Sequence, residues 1–125
     1  MINFFIKVIF WTTSTIAFIM ALVPAPVLIN VESGDKFLHI IVFFGLTILA
    51  GIAYPFYSIC RILVSLSILG ALIEIFQLIP SLHRDGDVFD WFADVFAVIF
   101  GAIILKSYRT FMRVTRRPDE NIKVS

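Results

Sequence analysis

Residues 81–94 read SLHRDGDVFDWFAD and bring four acids, an arginine and a histidine to the start of an otherwise apolar segment. Asp87, Asp90 and Asp94 stand at i, i+3 and i+7, so they form one stripe if the segment is a helix. The same spacing continues through Ala97 to Gly101. Charged groups in apolar surroundings are costly, and we therefore expect this stripe to belong to a functional site.

The apolar segment before this stretch carries a matching stripe. Its small and polar residues recur every three or four positions, at Ser67, Gly70, Glu74, Gln77 and Ser81. Two helices with small and polar residues at this spacing pack closely along those faces. The pattern predicts that Gly70 lies against the next helix, near Ala97 or Gly101.

The composition indicates an integral membrane protein of one domain. Of its 125 residues, 60% are hydrophobic and 15% are charged, whereas about a quarter of the residues of a soluble domain are charged. The single Cys60 excludes an internal disulfide. No nucleic-acid partner is expected, because the basic residues do not interleave with stacking aromatics.

The hydrophobic pattern predicts an all-α fold, an integral membrane bundle of four transmembrane helices. The run from Val8 to Val31 is uncharged and exceeds the roughly 20 residues that a span needs. A cleaved signal peptide is the alternative, which the length of the run and its two prolines disfavour. The remaining helices are predicted at about 36–54, 59–79 and 87–106. Residues 1–106 thus form the membrane domain, and residues 107–125 form a basic tail, the first half of which could continue as a helix.

The basic tail predicts the orientation of the bundle. It is the most basic segment of the chain, so it belongs in the cytoplasm. Four spans then place both termini in the cytoplasm, and the connections before the second and fourth helices face outward.

With this topology, nearly all ionisable residues outside the tail meet in the outer half of the bundle. The rise of a helix places Asp94 about 10 Å below Asp87, so the site should be a pocket that opens to the outer face. Desolvation makes idle carboxylates costly, and this favours a function for the deepest acids. The expected pocket residues are Asp35, Lys36, His39, Glu74, Gln77, Arg84, Asp87, Asp90 and Asp94.

Several of these residues also suit simpler roles. Lys36 and Arg84 could sit at the water interface, and Asp35 could cap the second helix. His39 could be a satisfied interface residue, a ligand or a proton carrier. Trp91 is typical of the aromatic belt of a membrane protein.

The ordered set Asp35-Lys36-x-x-His39, Glu74-x-x-Gln77, Arg84, Asp90-x-x-x-Asp94 and Gly101 resembles the VanZ-like family of small bacterial membrane proteins. The resemblance implies a helical bundle in the bacterial inner membrane. It also implies that all of these residues except Gly101 form a site. The founding member of the family is associated with resistance to the glycopeptide teicoplanin. Family members commonly have Asn or Asp at the position of Asp94 and Gly at that of Ala97. The resemblance implies neither a chemistry nor drug resistance for this chain.

Four functions are compatible with such a pocket. The first is binding of an envelope lipid or a lipid-linked wall precursor, with Lys36 and Arg84 on phosphate and the carboxylates on hydroxyls, amines or a cation. The second is a metal-dependent hydrolase or transferase that holds a divalent cation, although the sequence lacks a His-Glu-x-x-His motif. The third is transport along a carboxylate relay, and the fourth is a structural role. The sequence leaves open the choice among them, the metal and the oligomeric state.

Overall fold

The computed structural model describes residues 1–23, 34–82 and 86–116, with the backbone alone for residues 34 and 35. It contains four α-helices, α1 (Ile2–Leu22), α2 (Gly34–Ala53), α3 (Ile59–Gln77) and α4 (Val88–Thr115). A short 3-10 helix, Pro80–Leu82, follows α3. All four α-helices are long and apolar enough to cross a membrane. The predicted all-α bundle of four spanning helices is confirmed.

Apolar side chains cover most of the outside of the bundle. Large residues such as Phe4, Phe96 and Phe100 are exposed on it. Surfaces of this extent are incompatible with water and are covered by lipid in a membrane protein. The chain is therefore a multi-pass membrane protein.

The helix ends follow from local sequence. The hydroxyl of Ser58 accepts a hydrogen bond from the Arg61 N–H at 3.2 Å and caps α3. Asp87 caps α4, since its carboxylate accepts from the Phe89 N–H at 2.9 Å. Both residue types are favoured at this position because they satisfy a backbone donor that the helix leaves open. The predicted start of α4 near Asp87 is confirmed.

α4 extends past the predicted end near Lys106 to Thr115, so the first half of the tail continues the helix, which is the alternative that the sequence left open. Residues 106–115 contain neither proline nor glycine, so nothing in the local sequence stops the helix. The guanidinium of Arg109 also fixes this segment to the end of α2. It donates to the carbonyls of Tyr57 at 2.8 Å, Gly51 at 3.3 Å and Tyr54 at 3.4 Å.

α4 packs against both α2 and α3. α2 runs parallel to it: a Cβ added to Gly101 would stand 2.9 Å from Thr47, and Gly51 lies against Leu105. α3 runs antiparallel. All three helices therefore share one end, where α2 and α4 begin and α3 ends, which we call the polar end. The opposite end is called the basic end.

The stripe on α3 faces α4, but its partners differ from those predicted. A Cβ added to Gly70 would stand 3.3 Å from the Asp94 carboxylate and 3.4 Å from the Trp91 ring. Gly70 thus packs opposite Asp94, one turn before Ala97, whereas Gly101 packs against α2. The periodicity identified the correct face of α3, and the crossing point depends on side chains from both helices.

α1 packs on the outside of α2 and α3. The carbonyl of Ala21, near the end of α1, accepts a hydrogen bond of 2.8 Å from the Gln77 side-chain amide. Toward the other end, the indole of Trp11 donates to the Tyr54 hydroxyl at 2.8 Å. These contacts make α1 part of the bundle.

Candidate functional site

Among the described residues, three charged side chains form the outer layer of the polar end. The ammonium of Lys36, at the start of α2, lies 3.6 Å from the Asp87 carboxylate and 3.3 Å from that of Asp90. These two acids stand on the first turn of α4, on one face. We call Lys36, Asp87 and Asp90 the rim triad.

A second group lies one turn deeper. His39 stands one turn after Lys36 on α2, and its Nδ1 lies 3.3 Å from Asp94 Oδ1 and 3.4 Å from Oδ2. Glu74 of α3 completes the group, because one ligand atom from each of the three side chains falls within 4.8 Å of the others. All three residues are buried. We call His39, Glu74 and Asp94 the inner triad.

Burial increases steadily along the stripe of α4. The exposed fraction of the side chain falls from 39% at Asp87 to 16% at Asp90 and 0% at Asp94. The two triads are therefore successive layers of one polar cluster whose exposure decreases toward Asp94, and we call this cluster the funnel. The prediction of a pocket that opens to the outer face stays a prediction.

Glu74 joins α3 to the beginning of α4. Its Oε2 accepts a hydrogen bond of 2.9 Å from the Asp87 N–H. The other oxygen, Oε1, is buried and has no hydrogen-bond partner among the described residues. One carboxylate oxygen thus holds the helix in place while the second remains available inside the funnel.

The structure brings together six of the nine expected pocket residues, namely Lys36, His39, Glu74, Asp87, Asp90 and Asp94. Gln77 is buried, but its amide nitrogen binds α1 instead of joining a triad. The side chain of Asp35 and all of Arg84 lie outside the described residues. Ala97 is buried in the core, and Gly101 lies against Thr47 of α2.

Two residues that shape the funnel were not expected to do so. Trp91 was expected in the aromatic belt, yet its indole donates to the Ser67 carbonyl at 3.0 Å and packs between α3 and α4. Gly86 passes so close to α3 that an added Cβ would stand 2.7 Å from the Glu74 carbonyl oxygen. The glycine directly before the capping Asp87 was the available sequence signal for this close approach.

An apolar groove lies beside the funnel, between α2 and α4. It has a volume of about 550 Å³. It adjoins the inner triad in sequence, because Ile40 follows His39 and Ala93 precedes Asp94. Its walls are formed by Ile40, Ile41 and Phe44 on α2 and by Ala93, Phe96, Ala97 and Phe100 on α4.

Charge is unevenly divided between the two ends of the bundle. The acidic side chains that the structure describes, at positions 74, 87, 90 and 94, all lie at the polar end. The basic end carries cations, of which Lys7 stands over the Tyr54 ring at 5.2 Å and Arg61 over the Tyr57 ring at 4.9 Å. The funnel is therefore an acidic site with one lysine and one histidine among its described side chains.

No protein-family model, curated protein or solved structure matches this chain. The site is therefore interpreted from its own geometry, and the resemblance to the VanZ-like family stays a prediction.

Proposed function

We propose that the protein binds the polar head group of an envelope lipid or of a lipid-linked wall precursor in the funnel. The observation that carries the proposal is the position of the acidic funnel beside an apolar groove, which is lined by two of the three helices that form the funnel. A lipid needs both environments, one for its head group and one for a chain. The groove, at about 550 Å³, falls within the roughly 300–1,000 Å³ range of small-molecule sites.

The charge of the funnel selects the class of head group. Lys36 lies between Asp87 and Asp90, so its charge is already matched by two carboxylates. The expectation that Lys36 binds phosphate is therefore replaced by a preference for hydrogen-bond donors. Ammonium and hydroxyl groups meet carboxylates favourably. Head groups that carry amines or sugars fit this site better than a bare phosphate.

Head-group binding at the polar end requires that this end faces a defined side of the membrane. The polar end would face the outside of the bacterial inner membrane, because the basic end is typical of the cytoplasmic side. Both termini would then be cytoplasmic. The resemblance to the VanZ-like family implies the same membrane, and the charge distribution alone supports the orientation.

Lipid retention in native mass spectrometry tests the proposal. We expect protein from nanodiscs to retain phosphatidylethanolamine or phosphatidylglycerol in preference to phosphatidic acid with the same acyl chains. Replacing Asp87 and Asp90 together by Asn should remove the preference. Ile41→Trp should lower retention of all three lipids by filling the groove.

Ile9→Trp is the matched control for the groove variant. Ile9 on α1 and Ile41 in the groove are exposed to a similar extent, at 52% and 51%. The control should retain lipid like the unmodified protein. Equal retention of phosphatidic acid would contradict selective head-group binding. Equal effects of the two Trp variants would contradict binding of a lipid chain in the groove.

A metal-dependent hydrolase or transferase is the second candidate, favoured by the buried histidine and carboxylates of the inner triad. It differs from a binding protein in one measurable respect. A hydrolase or transferase would convert the retained lipid to a product of different mass, whereas a binding protein would release it unchanged.

A further inference from the structure

The inner triad has the donor set of a metal site. It offers one imidazole nitrogen and two carboxylates from three different helices, within 4.8 Å of one another. Two ligands at about 2.0–2.2 Å from a common ion stand roughly 3–3.4 Å apart. The distance of 3.3 Å between His39 Nδ1 and Asp94 Oδ1 meets this requirement.

A simple ion pair between His39 and Asp94 explains only part of this arrangement. It leaves Glu74 as a second carboxylate in the same small space, in a residue only 7% exposed. Its Oε1 is buried without a hydrogen-bond partner among residues 1–23, 34–82 and 86–116. An unsatisfied carboxylate oxygen in such surroundings is costly, and a bound cation would satisfy it.

We propose that His39, Glu74 and Asp94 bind one divalent first-row transition-metal ion. Imidazole nitrogen favours Zn²⁺ and its neighbours in the series, whereas Ca²⁺ and Mg²⁺ prefer oxygen donors alone. Water or a head-group oxygen would complete the coordination. The rim triad gives the ion an acidic entry path from the polar end.

This site goes beyond head-group binding and does not depend on it. The ion would lie below the rim triad, where it also offsets the repulsion between the two buried carboxylates. Lipid retention measured in the presence of a chelator separates the two proposals, since loss of metal with retained lipid would leave head-group binding intact.

Metal content of the purified full-length protein is the test. Bound metal is first removed from the protein with a chelator, and the protein is then incubated with Zn²⁺ or Mn²⁺ and desalted. Inductively coupled plasma mass spectrometry measures the amount of metal that stays bound. We expect about one ion per chain. Glu74→Gln should weaken binding more than about tenfold, since losing even a hydrogen-bond partner of a metal ligand costs about 10–100-fold in affinity. Gln still offers an acceptor to the Asp87 N–H, so the fold should persist.

Gln77→Met is the matched control. The substitution removes a buried polar side chain one turn from Glu74 on the same helix. The native Gln77 amide donates to α1 and not to the inner triad. The control should bind metal like the unmodified protein. Mn²⁺ electron paramagnetic resonance provides a second readout, in which His39→Gln should alter the spectrum of the bound ion.

Three outcomes would overturn the proposal. One is the absence of stoichiometric metal in the unmodified protein. Another is unchanged affinity in Glu74→Gln. The third is metal that is lost on replacing Asp87 or Asp90 but kept when the inner triad is changed, which would place the ion at the rim. Thermal unfolding of each variant verifies that it is folded.

Discussion

Gly86 shows how a single residue sets the geometry of the funnel. The chain there approaches the Glu74 carbonyl oxygen so closely that a Cβ would stand 2.7 Å from it. This approach presents the next N–H, that of Asp87, to the Glu74 carboxylate at 2.9 Å. The Glu74 carbonyl oxygen belongs to the backbone of α3, so it cannot move away from a Cβ as the end of a flexible side chain can. The first turn of α4 is thereby held against the last turn of α3.

Gly86→Ala should therefore destabilise the protein. We expect the free energy of unfolding to fall by about 1–3 kcal/mol, as for other substitutions that overfill a packed site. Thermal or denaturant unfolding in mild detergent measures the change.

Gly45→Ala is the control for Gly86→Ala. A Cβ at Gly45, within α2, meets nothing within 4 Å. Alanine there should leave stability unchanged or raise it by up to about 1 kcal/mol, because alanine favours helix over glycine. A loss of similar size in both variants would show that the close approach at Gly86 is not the cause.

At the scale of the element, α4 is held at both ends by neighbouring helices. Glu74 of α3 binds its beginning, and Arg109 near its end donates to three carbonyls at the end of α2 and in the turn that follows. The carbonyls at the end of a helix lack partners within it, so a guanidinium fork is well suited to them. The contact of Arg109 therefore stabilises the part of α4 that follows its apolar segment.

Arg109→Met tests that contact. Hydrogen bonds to a charged group contribute about 1.5–3 kcal/mol, and the variant should lose an amount in this range in unfolding experiments. Arg113→Met is the control, because Arg113 is exposed in the last turn of α4 and should change stability by less than about 0.5 kcal/mol. Equal losses of unfolding free energy in the two variants would mean that any positive charge near the end of α4 stabilises the helix, and that the hydrogen bonds of Arg109 do not.

The elements also show which features a sequence can predict. Hydrophobic runs and prolines were sufficient for four helices, and the start of the fourth helix near Asp87 was predicted correctly. The meeting of Lys36, His39, Glu74 and the acids of α4 followed from helix order alone. The contacts of Gly70, Trp91 and Arg109 could not be predicted, because periodicity identifies a helix face and not the level at which two faces cross. That level depends on contacts between distant segments.

At the scale of the whole molecule, charge is separated along the bundle axis. The described acids lie at the polar end. The described cations outside it, Lys7, Arg61, Lys106, Arg109, Arg113 and Arg116, belong to the basic end. α4 has 28 residues and is therefore about 42 Å long, more than the roughly 30 Å of hydrocarbon in a bilayer. Its basic last turns therefore extend past the hydrocarbon, where their charges meet water and phosphate.

This asymmetry predicts the orientation in the membrane. A fluorescent protein fused after Ser125 should be active in the cytoplasm, and alkaline phosphatase inserted between Leu82 and Gly86 should be active only if that connection is outside. We expect both activities, because positive charge is retained on the cytoplasmic side. The control exchanges the reporters, with alkaline phosphatase after Ser125 and the fluorescent protein between Leu82 and Gly86. Both exchanged fusions should be inactive. Reporters on the same side would exclude a single crossing by α4. A full reversal would place the funnel in the cytoplasm, and its ligand would then have to come from the inner leaflet.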